Sequence, residues 1–191
     1  MARAITAGID EVGRGALAGP VVAAACIYDP ARVKLPRGVR IADSKQLTPE
    51  QREEACRFLM AHVSFGIGIV EASIVDRQGI LTATELAMQR AVADLSKRKT
   101  PTYLLVDGRD KFWFDLPHSS IIDGDRLEPC ISAASIIAKV VRDRLMVRSD
   151  GVFPGYGFAK HKGYGTAMHQ EALSRLEPCP IHRCTFLNAH R

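Results

Sequence analysis

The chain has 191 residues, 47% of them hydrophobic and 25% charged, with a net charge of +5 and a pI near 9.1. This balance excludes a disordered chain, allows one domain with a substantial core, and favours an anionic partner. No apolar run reaches membrane-spanning length, no secretory h-region is present, and the five cysteines lack a Cys-x-x-Cys pair, so a cytoplasmic protein with reduced thiols is expected.

Taken in order, the first element is a short apolar strand from Thr6 that delivers Asp10 and Glu11 and breaks at Gly13-Arg14-Gly15. Adjacent carboxylates at a strand end suit a hard divalent cation, which takes oxygen ligands. Successive strand side chains point to opposite faces, so Asp10 and Glu11 share a metal only if the strand bends or ends there. Bare backbone around Arg14 lets a polyanion approach amide N–H groups closely. A dinucleotide fingerprint would need a helix directly after the glycines. Instead 21–28 reads as a second strand, and no Gly-Lys-Ser/Thr follows to make a P-loop.

A Pro-punctuated basic loop leads to Asp43-Ser44-Lys45, which can grip a phosphate or be a solvated loop. Thr48-Pro49-Glu50-Gln51 predicts a helix start with a capping box, and that helix runs to about Met60 or Ala61. Alternation predicts a strand over 63–70, then a short helix over 71–78 ended by Gly79 and a longer one from about Thr82 to Arg98. The buried-type strand 102–106 ends on Asp107-Gly108, a second carboxylate at a second strand end. Another strand, 119–122, ends on Asp123-Gly124-Asp125.

A helix over 129–146 carries small residues early and apolar residues at core spacing; core packing does not account for Lys139, Arg142 and Asp143, for which a plain surface place is one option. The Gly-rich segment 154–166 sets two Tyr, two Lys and a His among glycines, as a nucleic-acid contact loop would. A last helix, 167–176, leads to a tail with Ile181-His182-Arg183. Cys179, His182 and Cys184 lack a fourth zinc ligand at a familiar spacing.

Together these residues resemble the ribonuclease HII family, the bacterial type 2 ribonucleases H. The likeness covers most of the chain: G-I-D-E-V-G-R-G-A-L-A-G-P-V (8–21), D-S-K-Q-L (43–47), V-D-G (106–108), I-S-A-A-S-I-I-A-K-V-V-R-D (131–143), Y-G-F-A-K-H-K-G-Y-G-T (156–166) and a closing His-Arg. The resemblance implies an α/β, ribonuclease-H-like fold: a mixed central sheet flanked by helices, with a helical C-terminal portion. It implies one catalytic domain over 1–191, with about 150–191 a substrate-contacting lobe. Four metal-binding carboxylates map onto Asp10, Glu11, Asp107 and Asp125, holding a pair of Mg²⁺ or Mn²⁺ ions. Expected substrates are RNA–DNA hybrid and duplex DNA carrying single ribonucleotides, cut by a monomer. Gly13, Arg14 and Gly15 would read the 2′-OH at an RNA-to-DNA junction, Tyr164 would stack on the next deoxyribose, and Ser44 and Lys45 would lie near substrate phosphates. The family's usual basic residue two before the fourth carboxylate is Asp123 here, which puts a phosphate contact in doubt. Asp143 is a lower-ranked ligand candidate. The extra N-terminal domain of the related ribonuclease HIII is not expected, since nine residues precede Asp10. Two rival readings stand beside this one: a metal-dependent DNA nuclease on the same fold, and a non-catalytic nucleic-acid-binding module.

Overall fold

The structure, a computed structural model, describes residues 4–188. Five strands form one sheet in the order β3-β2-β1-β4-β5. They are β1 (Thr6–Val12), β2 (Val21–Ile27), β3 (Ser64–Val70), β4 (Tyr103–Asp107) and β5 (His118–Ile121). β1 pairs antiparallel with β2, and β2 with β3, whereas β1–β4 and β4–β5 are parallel. The sheet is therefore mixed, and helices cover both faces, as the α/β expectation required.

Period-two alternation along the strands divides the core. Ala7 and Ile9 of β1, with Leu104 and Val106 of β4, turn toward α3 (Ile80–Ser96), whose Ala83, Ala87, Met88, Ala91 and Leu95 recur at helical spacing. Ala24 and Cys26 of β2 turn the other way, toward α1 (Pro49–His62) and α5 (Pro129–Val152). Burying a side chain such as Leu95 or Leu59 contributes roughly 1.5–3 kcal/mol. Gly8 permits the second layer, because a Cβ there would stand 2.3 Å from the backbone carbonyl carbon of Cys130. Any side chain at Gly8 would push α5 off the sheet.

The capping box forms as read: Thr48 Oγ1 accepts from the Gln51 N–H, and Gln51 Oε1 accepts from the Thr48 N–H. α2 (Ala72–Gln78) stops at Gly79 as expected. α5 runs through Gly151 to Val152, six residues past the predicted end. A one-turn helix, α4 (Gly124–Leu127), follows the fifth strand, where no element is expected from the sequence. α6 (Phe158–His161), α7 (Ala167–Arg175) and α8 (Cys184–Asn188) follow, and a third small core gathers Ala18, Met146, Tyr156, Phe158 and Ala172. Among the described residues no helix is long and apolar enough to cross a membrane.

Candidate active site

Sheet register brings the first two carboxylates together. Ile9 is the partner of Val106, and both bury in the α3-side core, so the next residues, Asp10 and Asp107, turn to the α5 side as neighbours. Of the two ways in which Glu11 could join Asp10, a bend or an end of the strand, β1 does not take the second. It continues beside β2 through Glu11↔Ala23 and Val12↔Val22. Its pairing with β4 stops at Ile9, however, so Glu11 lies past the last rung on that edge and lines the same cavity as Asp10. Asp125 arrives from α4: the chain turns left-handed at Asp123 (φ 54°), and the Asp125 N–H donates to Asp107 Oδ1 at 3.3 Å.

Asp10, Glu11, Asp107 and Asp125 line one cavity of about 370 Å³, with Lys45, Lys139, Arg52 and Tyr164 also on its wall. Burial raises the pKa of all four carboxyls, that of Asp10 the furthest. Repulsion adds to it: Glu11 and Asp107 act on Asp10, and Asp107 and Asp43 on Asp125. Arg14 opposes the shift at Glu11, donating from Nη1 to Glu11 Oε1 at 3.1 Å and to Asp110 Oδ2 at 2.8 Å. Lys45 is exposed and stands 3.9 Å from Asp125 Oδ2, too solvated to neutralise the cluster.

Four mutually repelling oxygen donors, Asp10 and Asp125 buried and Glu11 and Asp107 half-buried, with so little cationic cover fit hard divalent cations. Among the described residues no three His, Cys, Asp or Glu side chains already form a closed metal-ligand set. The fit therefore rests on donor chemistry and shared cavity.

A second assembly adjoins the first. After Gly13-Arg14-Gly15, the Leu17 and Ala18 N–H groups both donate to the Gly163 carbonyl, at 2.8 and 3.2 Å, which sets the glycine loop beside Tyr164. Two buried arginines clamp it. Arg142 donates from Nε to Pro20 O (2.9 Å) and from Nη2 to Ala18 O (3.1 Å). Arg183 donates from Nε and Nη2 to Gly19 O and from Nη1 to Arg14 O. Both side chains are 0% exposed. Gly13 has φ 94°, and a Cβ there would sit 2.2 Å from Arg142 Nε, so this glycine admits the clamp. The Arg142 guanidinium also lies 5.1 Å from the centroid of the Tyr164 ring, and Lys139 Nζ 5.7 Å.

Other predicted residues take varied places. Ser44 lines the cavity, but its hydroxyl bonds to Ser135 at 3.0 Å, and Ser135 in turn favours the charged form of Asp10. Gly15 has open space where a Cβ would go. Asp123 is exposed on the turn. Asp143 pairs with Lys139 at 2.9 Å and so holds a cation at the cavity wall. Arg142, for which the sequence leaves a surface place as one option, is fully buried. His161, read as part of a contact loop, is buried, with Nδ1 accepting from the Gly163 N–H at 3.1 Å. Ser135 lies within the 131–143 motif and Arg183 in the Ile181-His182-Arg183 tail, but neither carried a role of its own in the sequence.

Comparison with known proteins follows this geometry. A family model described as ribonuclease HII matches residues 7–189. The curated ribonuclease HII of Dehalococcoides mccartyi is 51% identical over 181 residues, covering 94% of this chain and 84% of its own. Among solved structures, the ribonuclease H2 of Pyrococcus horikoshii OT3 superposes with a TM-score of 0.77 at 27% identity, over 97% of this chain and 95% of that one. Bst-RNase HIII in complex with Mn²⁺ shares the fold, with a TM-score of 0.64 at 19% identity over 90% of this chain and 70% of that one.

Proposed function

Since the chain belongs to the ribonuclease HII family and is a ribonuclease H, we propose that it hydrolyses the RNA strand of RNA–DNA hybrids and incises duplex DNA 5′ of a single embedded ribonucleotide. The observation that carries this reading is the direct joining of a four-carboxylate cavity to the glycine loop and Tyr164, through the Leu17 and Ala18 bonds to Gly163. A nuclease indifferent to sugar chemistry has no use for that second assembly.

Asp10, Glu11, Asp107 and Asp125 would hold Mg²⁺ or Mn²⁺, and the Mn²⁺ complex of the ribonuclease HIII neighbour supports that choice. When bound, such a pair supplies an activated water and charge stabilisation at the leaving 3′-oxygen, consistent with 3′-OH and 5′-phosphate ends. The chain's own groups do the rest. The Glu11 N–H, donating to Asp10 Oδ1 at 2.7 Å, fixes the orientation of Asp10, while Arg14 holds Glu11 in place. Lys45 and Lys139 present cations to the scissile strand's phosphates at the cavity wall. The backbone of Gly13, Arg14 and Gly15 can meet a 2′-OH, the group that separates RNA from DNA at one position. The Tyr164 ring, backed by Arg142, offers a face to the following deoxyribose. The reaction then needs no attack by the 2′-OH, which is held as a handle. The protein acts as a monomer in the cytoplasm in this reading, with 150–191 forming the substrate-contacting lobe of a single domain.

Matched duplexes test it: all-DNA, all-RNA hybrid and single-ribonucleotide, each with Mg²⁺, with Mn²⁺ and with EDTA. The expected result is cleavage of the latter two substrates in either metal and none in EDTA. Equal cleavage of the all-DNA duplex would overturn the reading in favour of a general DNA nuclease.

A further inference from the structure

Behind Tyr164 lies a buried imidazole cluster that the chemistry above does not use. His169 on α7 is 0% exposed and His182 3%. Their Nε2 atoms stand 3.0 Å apart, and His169 Nδ1 lies 3.0 Å from the Tyr164 carbonyl oxygen. His161 stacks on His169 with centroids 4.3 Å apart, and Phe158 meets His169 edge to face.

Hydrogen-bond logic gives this cluster a single direction. Two Cys179 groups approach His182 Nδ1, the N–H at 2.9 Å and the carbonyl oxygen at 3.2 Å. That oxygen already accepts from the His182 backbone N–H at 2.9 Å, whereas among the described residues the Cys179 N–H finds its acceptor only at Nδ1, so that nitrogen accepts. His182 then carries its proton on Nε2 and donates to His169 Nε2. His169, accepting there, carries its proton on Nδ1 and donates to Tyr164 O. A charged His169 would set two N–H groups against each other, and burial independently pushes its pKa down to about 4. The Tyr164 main chain is thereby saturated: its carbonyl also accepts from the Thr166 N–H (2.8 Å), and its N–H donates to His161 O (3.0 Å).

We infer that His169 and His182 are positioning residues: a neutral two-imidazole relay fixes the Tyr164 backbone, and so the height and tilt of the ring presented to the substrate sugar. The inference rests on Tyr164 reading the junction. A hydrophobic cluster alone would hold the loop down, but a hydrogen bond with one permitted direction also sets its orientation. Small misplacements of a positioning group are enough to slow a reaction severely.

Two measurements test this. On the wild-type protein, ¹⁵N-resolved imidazole spectra at neutral pH should show His169 neutral and protonated at Nδ1, with His182 neutral and protonated at Nε2. His169 protonated at Nε2, or charged, overturns the relay whatever the kinetics show. In turnover, His169→Leu should lower kcat on the single-ribonucleotide duplex about tenfold with KM within about twofold, because the loss is one of geometry. His169→Asn, whose amide N–H can replace the Nδ1 donor, should recover most of that loss. In a Tyr164→Ala background, His169→Leu should add nothing. Equal losses for Leu and Asn, or a full further loss without the Tyr164 ring, would reduce His169 to core packing. If His169→Leu changes nothing while Tyr164→Ala is crippled, the relay alone is wrong. If Tyr164→Ala itself cuts the single-ribonucleotide duplex normally, the junction reading fails and takes the relay with it.

Discussion

The carboxylate cavity and the Tyr164 loop sit side by side and are built on opposite electrostatic terms. In the cavity, burial and mutual repulsion raise four carboxyl pKa values, and Arg14 at Glu11, Ser135 at Asp10 and the exposed Lys45 at Asp107 and Asp125 oppose the rise without cancelling it. In the loop, buried arginines and neutral imidazoles meet backbone carbonyls one by one, leaving Arg142 Nη1 as the one guanidinium nitrogen there without a partner. The first region is incomplete until charge arrives from outside. The second is complete in the protein alone but for that one nitrogen, so recognition is preorganised while chemistry waits on its cations.

The largest effect separates the two regions by charge. Asp10→Asn should cut cleavage by at least ~10²–10³-fold, since it removes ligand charge with little change of shape. The same change should stabilise the metal-free protein, with each ~1 kcal/mol of relieved repulsion worth about 2–4 °C in melting temperature. The pH sign follows from linkage. Raised carboxyl pKa values mean the folded form binds protons more tightly than the unfolded chain, so this contribution is present at low pH and lost as pH rises through the raised values. As pH rises from the ordinary carboxylate range through the raised values, the melting temperature of the metal-free wild type should therefore decline relative to Asp10→Asn. Calorimetry with EDTA and with Mn²⁺ checks both statements.

In the loop the expectation reverses. Arg183→Met should destabilise by about 3 kcal/mol, with or without metal, because the Gly19 and Arg14 carbonyls lose their donors in a buried site. Denaturant midpoints measure it, and a change below about 1 kcal/mol would show the clamp to be dispensable. Tyr164→Ala should slow cleavage at the single ribonucleotide by about tenfold or more while changing hybrid affinity little; Tyr164→Phe separates ring from hydroxyl in the same kinetics. The smallest effect concerns phosphates. Lys45→Ala should make the log–log salt slope of hybrid binding shallower by about one contact. Lys162→Ala should change it less, because the Lys162 ammonium is bonded to the Ala159 carbonyl.

How much of this was legible in the sequence tracks the same divide. Strand alternation, the Thr48 capping box and carboxylates at strand ends were readable, because each is written in residues a few positions apart. The meeting of Asp10 with Asp107 needed only the register of two parallel strands. α4 was missed because four residues are too few to show a helical period. Arg142, Arg183 and the His169–His182 pair were not legible for a different reason. Charged and imidazole side chains read as surface until their partners are known, and here those partners are backbone carbonyls and a ring up to 169 positions away in sequence.

The most direct test of the whole account is the position of the cut. With wild-type protein and a labelled DNA duplex carrying one ribonucleotide, incision in Mg²⁺ or Mn²⁺ should fall on the 5′ side, leaving the ribonucleotide at the 5′ end of the downstream fragment. A duplex left intact while all-RNA hybrid is degraded, or a cut on the 3′ side, would contradict it.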